Sequence, residues 1–117
     1  MFLEVIQETG SALAVAFKPE SREILENRLF QQLKKDGYSR IGHSGDTYTY
    51  ERGSFVTRIF LGAFYKYFKW DFRIIEESDR FVVTITQKVS GMWGGVIGMN
   101  QSKTELQRLK GVMMNWK

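Results

Sequence analysis

The residues best suited to recognition lie in the stretch Phe55 to Ile75, FVTRIFLGAFYKYFKWDFRII, which holds eight of the chain's seventeen aromatic residues. Its charges are Arg58, Lys66, Lys69 and Arg73, with one acid, Asp71. Cations interleaved with aromatics can do two kinds of work. Tyr65 with Lys69, Arg73 and, further on, Lys88 would stack bases and contact phosphates. Phe55, Phe60 and Phe64 with Arg58, Lys66 and, later, Trp93 would bury rings in an apolar or amphipathic partner while the cations select an anionic group. A third expectation needs neither role: the rings are core and the cations are the wet face of the same strand.

Other groups that could carry chemistry are sparse. His43 is the single histidine, and no spacing brings Asp36, Asp46 or Glu51 to it as a ligand set, so a strand-edge histidine is expected rather than a metal site. Glu76, Glu77 and Asp79 form a carboxylate cluster where a turn is expected, and a solvated turn explains them without acid–base work. The glycine-rich run GMWGGVIG precedes a helical pattern but lacks the lysine–serine ending of a phosphate loop and the GxGxxG spacing of a dinucleotide site. Its glycines fit a sharp bend, or a segment folded back over an open sheet edge. With no cysteine, disulfides, thiolate metal sites and cysteine nucleophiles are excluded. No catalytic residue, metal ligand or cofactor is assigned, and the expectation is a binding module rather than an enzyme.

The elements that position these residues follow from periodicity. At 117 residues, 43% apolar and 26% charged, the chain suits one globular domain over 1–117. The net charge of +4 and pI near 9.4 favour anionic partners but equally favour a soluble monomer. Residues 2–17 carry two apolar runs around Glu8-Thr9-Gly10-Ser11, read as a hairpin or as one bulged strand. Leu13, Val15 and Phe17 alternate with Ala12, Ala14 and Ala16, and the small alanine face could lie close under a helix.

Pro19 and Ser21 open a helix expected to reach Asp36, with acids first, lysines last and Gly37 as C-cap. Leu25, Leu29 and Leu33 form its stripe with Phe30 alongside, and Ile24 lies off it. Ser44-Gly45-Asp46 turns one strand into TYTYER. Residues 54–64 are expected to be a short helix or ordered loop, and 66–77 a half-buried strand. The chain then returns antiparallel through Phe81, Val83 and Ile85. Ser102 to Glu105 reads as a capping box that starts the last helix, whose apolar face is Leu106, Leu109, Val112, Met113 and Trp116.

The sum is an α+β fold: a curved antiparallel sheet of about four to six strands with two helices on one face, in the order β(β)-α-β-β-β-β-α. Through that order and the patterns LENRLFQQLKKDGY, DTYTYERGS and KWDFRIIEE, the chain resembles the small helix-grip and TATA-binding-protein-like domains. The resemblance implies a sheet curled around a helix, and partners that are apolar ligands, nucleic acid or other proteins. Three functional expectations follow. The first is a module engaging an apolar or amphipathic ligand, an acidic membrane surface or a protein partner; the second is nucleic-acid binding by the basic face; the third is a homo-oligomer joined through the aromatic stretch. The N-terminus MFLEVIQETG lacks a basic leader, and the run near Phe55 to Phe68 is too broken for the ~20 residues of a membrane span, so a cytoplasmic location is expected.

Overall fold

Strand pairing begins at the N-terminus because Thr9 closes the first hairpin. Its Oγ1 accepts from the Ser11 and Ala12 amides at 3.2 and 3.0 Å, while its own amide donates to the Ala12 carbonyl at 2.8 Å. That settles the open reading of Gly10 as a hairpin between β1 (Phe2–Glu8) and β2 (Ala12–Phe17). The computed structural model describes residues 1–53, 68–87 and 95–117, with the backbone alone over 95–100. The remaining elements are α1 (Arg22–Lys35), β3 (Ser39–Ser44), β4 (Thr47–Arg52), β5 (Phe68–Glu76), β6 (Phe81–Gln87) and α2 (Gly95–Met114). The expected strand at 66–77 is observed over Phe68–Glu76, and the expected element at 54–64 lies outside the described residues.

All strand pairs are antiparallel, and the sheet order is β1-β2-β6-β5-β4-β3. From β2 the chain passes through α1 to the opposite edge at β3, then meanders back through β4, β5 and β6 until β6 pairs with β2. One face of this sheet holds Leu13, Val15 and Phe17 of β2, Ile85 and Val83 of β6, Trp70, Phe72 and Ile74 of β5, and Tyr48 and Tyr50 of β4. Both helices lie on it and complete one core with Leu25, Leu29, Leu33, Leu106, Leu109, Met113 and Trp116. The α+β architecture with two helices on one face of a curved sheet is therefore observed.

Two local expectations are corrected. The helices pack on the large face of β2, and the alanines are on the other side, where Ala14 pairs with Thr84 and Ala16 with Val82. Large side chains take the face under the helices, where burial stabilises them in proportion to apolar area, while Ala14 and Ala16 are buried on the opposite face. The last helix starts at Gly95, not at Ser102, so Ser102 and Glu105 lie inside it. Their side chains are buried and engaged elsewhere, and the local capping signal is overridden by tertiary contacts.

Helix α1 matches its sequence signals at both ends. Ser21 Oγ accepts from the Ile24 amide at 3.2 Å as the N-cap. At the other end the Tyr38 amide donates to the Leu33 carbonyl at 2.8 Å and Gly37 to Lys34 at 3.1 Å, the paired bonds of a Schellman motif. Gly37 sits at φ +92°, where a Cβ is strained even though the space beside it is adequate. Gly37→Ala is expected to lower folding stability by about 1 kcal/mol, read as a fall in the thermal midpoint; an unchanged midpoint would show that the turn relaxes freely.

Candidate functional site

The helix-bearing face is solid. Trp70, Phe72, Leu25, Leu33 and Ile85 are fully buried, and the void among Leu29, Tyr48, Tyr50 and Ile74 has only about 10 Å³, too little for an apolar ligand. The described part of this face leaves no room for an apolar ligand at these residues.

Of the residues expected to engage a ligand, Phe55, Arg58, Phe60, Phe64, Lys66 and Trp93 all lie outside the described residues, as do Tyr65 and Lys88 of the nucleic-acid reading. Their chain neighbours are placed. Arg52 pairs with Phe68 and Gln87 pairs with Trp70, so 54–67 and 88–94 both join the sheet at one end. Gln87 Nε2 donates to Ser102 Oγ at 3.0 Å, which brings α2 to that same end.

A buried polar network braces this end. Glu105 is 5% exposed, yet it faces Tyr38, Arg108 and Arg52. The Tyr38 hydroxyl donates to its Oε2 at 2.6 Å, and Arg108 donates to both oxygens at 2.7 and 3.0 Å. Arg52 stands 3.7 Å away. Trp70 Nε1 donates to the Tyr38 oxygen at 3.0 Å, and Arg108 reaches Asp36 at the end of α1 at 3.1 Å. Burial, reinforced by Glu105, pushes the Tyr38 hydroxyl far above its usual range. The hydrogen bond to Glu105 holds the Arg108 guanidinium above its own. The Tyr38 and Arg108 donors converge on the Glu105 and Asp36 carboxylates and Trp70 donates to Tyr38, so the arrangement ties α1, α2 and β5 together. Arg28 over the Trp116 ring, 5.5 Å from its centroid, together with Arg108 on Asp36, sets the two helices antiparallel.

The sequence reading missed this network because Glu105 was explained locally as half of a capping box. A signal was available. Ser102, Leu106, Leu109, Met113 and Trp116 keep the helical 3-4 spacing through Ser102 without a break, which argues for a helix already under way.

Lys69 and Arg73 do share the outer face of the sheet, Arg73 exposed and Lys69 half-buried. Asp71 stands between them and accepts from Thr49 Oγ1 at 2.6 Å, Glu51 lies opposite Lys69, and Thr47 and Thr84 flank Arg73. The described part of this face is thus of mixed charge rather than a basic stripe. His43 is exposed on edge strand β3, its ring stacked 4.3 Å from Tyr48 and its Nε2 2.8 Å from the Gly45 carbonyl. Among the described residues no group of three or more histidine, aspartate or glutamate side chains is placed to hold a metal ion. Nor is any described helix long and apolar enough to cross a membrane.

Among the described residues these features define a class of protein in structural terms: a small α+β domain with a six-stranded antiparallel sheet covered on one face by two helices. The chain matches no known family model and no curated protein sequence.

Proposed function

We propose that this protein is a non-enzymatic binding module that engages an anionic, amphipathic surface, foremost an acidic membrane surface, through its aromatic–basic segment. One observation carries the reading. The described residues that flank 54–67 and 88–94, Arg52 with Phe68 and Gln87 with Trp70, stand at a single end of the sheet, which supports reading Phe55, Arg58, Phe60, Phe64, Lys66 and Trp93 as parts of one recognition surface. The filling of the described part of the concave face by buried side chains supports a surface rather than an internal site. The mechanism is insertion of rings at headgroup level, with Arg58 and Lys66 facing the acidic lipid. Such a role fits the acidic cytoplasmic leaflet, and a cysteine-free chain needs no oxidising compartment.

The test is hydrogen–deuterium exchange over 54–70 with phosphatidylserine vesicles, neutral vesicles and single-stranded RNA in parallel. Protection by the acidic vesicles alone is expected. Protection by RNA alone, with steep salt dependence, transfers the function to the Lys69–Arg73 face. No change with any of them, in a protein whose mass exceeds one chain, favours the homo-oligomer. The double variant Arg58→Glu, Lys66→Glu is expected to weaken vesicle co-sedimentation by roughly tenfold or more, since each cation near an acidic surface contributes about 1 kcal/mol and reversal adds repulsion.

A further inference from the structure

Unpaired charge is sorted along the direction of the strands. Lys34 and Lys35 close α1, and Lys103 follows Ser102, whose hydroxyl accepts from Gln87 at the end of the sheet that flanks 54–67 and 88–94. Asp36, next to Lys35, is reached by Arg108, and Glu105, two residues past Lys103, faces Arg52. All three lysines therefore belong to that end, and all three are exposed.

No carboxylate neutralises them. All 13 acidic residues of the chain are among the described ones, and 54–67 and 88–94 contain Arg58, Lys66 and Lys88 but no acid. The acids close by are spent, Asp36 and Glu105 on Arg108 and Glu8 on Lys110. Glu51 is on the opposite face of the sheet, across from Lys69. Lys34 and Lys35 complement the dipole of α1, but Lys103 sits in the first half of α2, where no dipole favours a cation.

The far end is the reverse. Glu20 and Glu23 stand where α1 begins, after Phe17, and Phe17 pairs with Phe81, which also pairs with Glu76. Glu20, Glu23 and Glu76 carry no ion pair. The nine residues of β5 separate the two ends by roughly 30 Å, at about 3.3 Å per residue. That is several times the Debye length of about 8 Å at physiological salt. An acidic surface at one end is therefore not felt at the other, whereas a molecule lying on its side would bring the unpaired acids against it.

We propose that the protein docks end-on to acidic lipid, with Lys34, Lys35 and Lys103 of the helix layer contacting the headgroups and the Glu20–Glu76 end held away from them. This rests on the membrane reading above and adds to it three contact residues and an orientation.

Phosphatidylserine vesicles are the probe, with neutral vesicles and single-stranded RNA in parallel. Each cation near such a surface is worth roughly a fivefold change in affinity, so Lys35→Ala with Lys103→Ala is expected to weaken co-sedimentation roughly thirtyfold, and adding Lys34→Ala more than a hundredfold. Lys18→Ala with Lys117→Ala removes equal charge from the far end and should cost less than about twofold. Unchanged circular dichroism spectra show that these surface variants fold. Orientation is read with a single spin label, placed on Thr104→Cys or Ser78→Cys in a chain that has no cysteine of its own. On the vesicles the label at 104 should be shielded from a water-soluble nickel chelate and the label at 78 should stay accessible. Equal losses for the near and far pairs, or shielding at 78, overturn the proposal. If Arg58→Glu with Lys66→Glu abolishes vesicle binding while the lysine variants bind as tightly as the native protein, the membrane reading stands and the end-on contact falls. Absence of native binding to acidic vesicles overturns both, and lysine-dependent binding of RNA in that case assigns this end to nucleic acid.

Discussion

Glu105→Ala is expected to lower folding stability by about 3 kcal/mol, the low end of the range for breaking a buried ion pair. The carboxylate accepts three strong hydrogen bonds from Tyr38 and Arg108 and is nearly sealed from water. Alanine leaves the Tyr38 hydroxyl still accepting from Trp70 but with no acceptor of its own, in a place water does not reach. Against a larger loss, the Arg108 and Arg52 side chains are 37% and 39% exposed, so their released charges regain part of their hydration. Glu105→Gln keeps one acceptor oxygen and should cost about half as much. Urea unfolding midpoints check both variants, and a loss below about 1 kcal/mol for alanine would mean that the helices are held by the apolar core alone.

That network marks the limit of what was readable in the residues. Element order, the bounds of α1 and the strand alternation of β5 and β6 were legible because each is written within a few residues. Ser21 and Gly37 bracket a leucine stripe, and Phe68, Trp70, Phe72 and Ile74 alternate with polar partners. The start of α2 was not, since Ser102 and Glu105 satisfy a local rule while their real partners, Gln87 and Tyr38, are 15 and 67 residues away. The face of β2 under the helices followed the same logic in reverse. Alternation shows that Leu13 and Ala14 point oppositely, but only the assembled sheet shows which side the helices cover.

The geometry of β3 was hidden for a related reason. His43 read as an isolated edge histidine, and Arg40 drew no notice, because strict alternation gives them opposite faces. The bulge at Ile41 brings them to one side, and nothing in SRIGHS announces a bulge except Gly42. By contrast, the candidate residues in 54–67 and Trp93 were picked on composition. What the structure adds is the pairing of their described neighbours, Arg52 with Phe68 and Gln87 with Trp70, at one end of the sheet.

Alkaline solution should unfold this protein sooner than its composition suggests, through Tyr38. In the unfolded chain the hydroxyl ionises near its ordinary value of 10.0, whereas burial and then Glu105 raise it well above that in the folded state. Below that ordinary value both states hold the proton and the stabilisation is complete. Above it the unfolded chain releases the proton and the native protein keeps it, so stability falls as pH rises, by up to about 1.4 kcal/mol per pH unit for this one group. Tyr48 and Tyr50 are raised in the same direction, burial being the leading cause in each, and steepen the fall. Urea unfolding midpoints measured from about pH 9 to 11 should therefore slide downward, with tyrosinate absorbance appearing together with unfolding rather than before it. Tyr38→Phe separates this from general alkaline damage. It starts less stable, because Glu105 loses a donor and Trp70 an acceptor, but its slope against pH should be shallower than that of the native protein. Equal slopes in the two proteins would assign the alkaline loss to other groups and would show the Tyr38 hydroxyl to be accessible in the folded state.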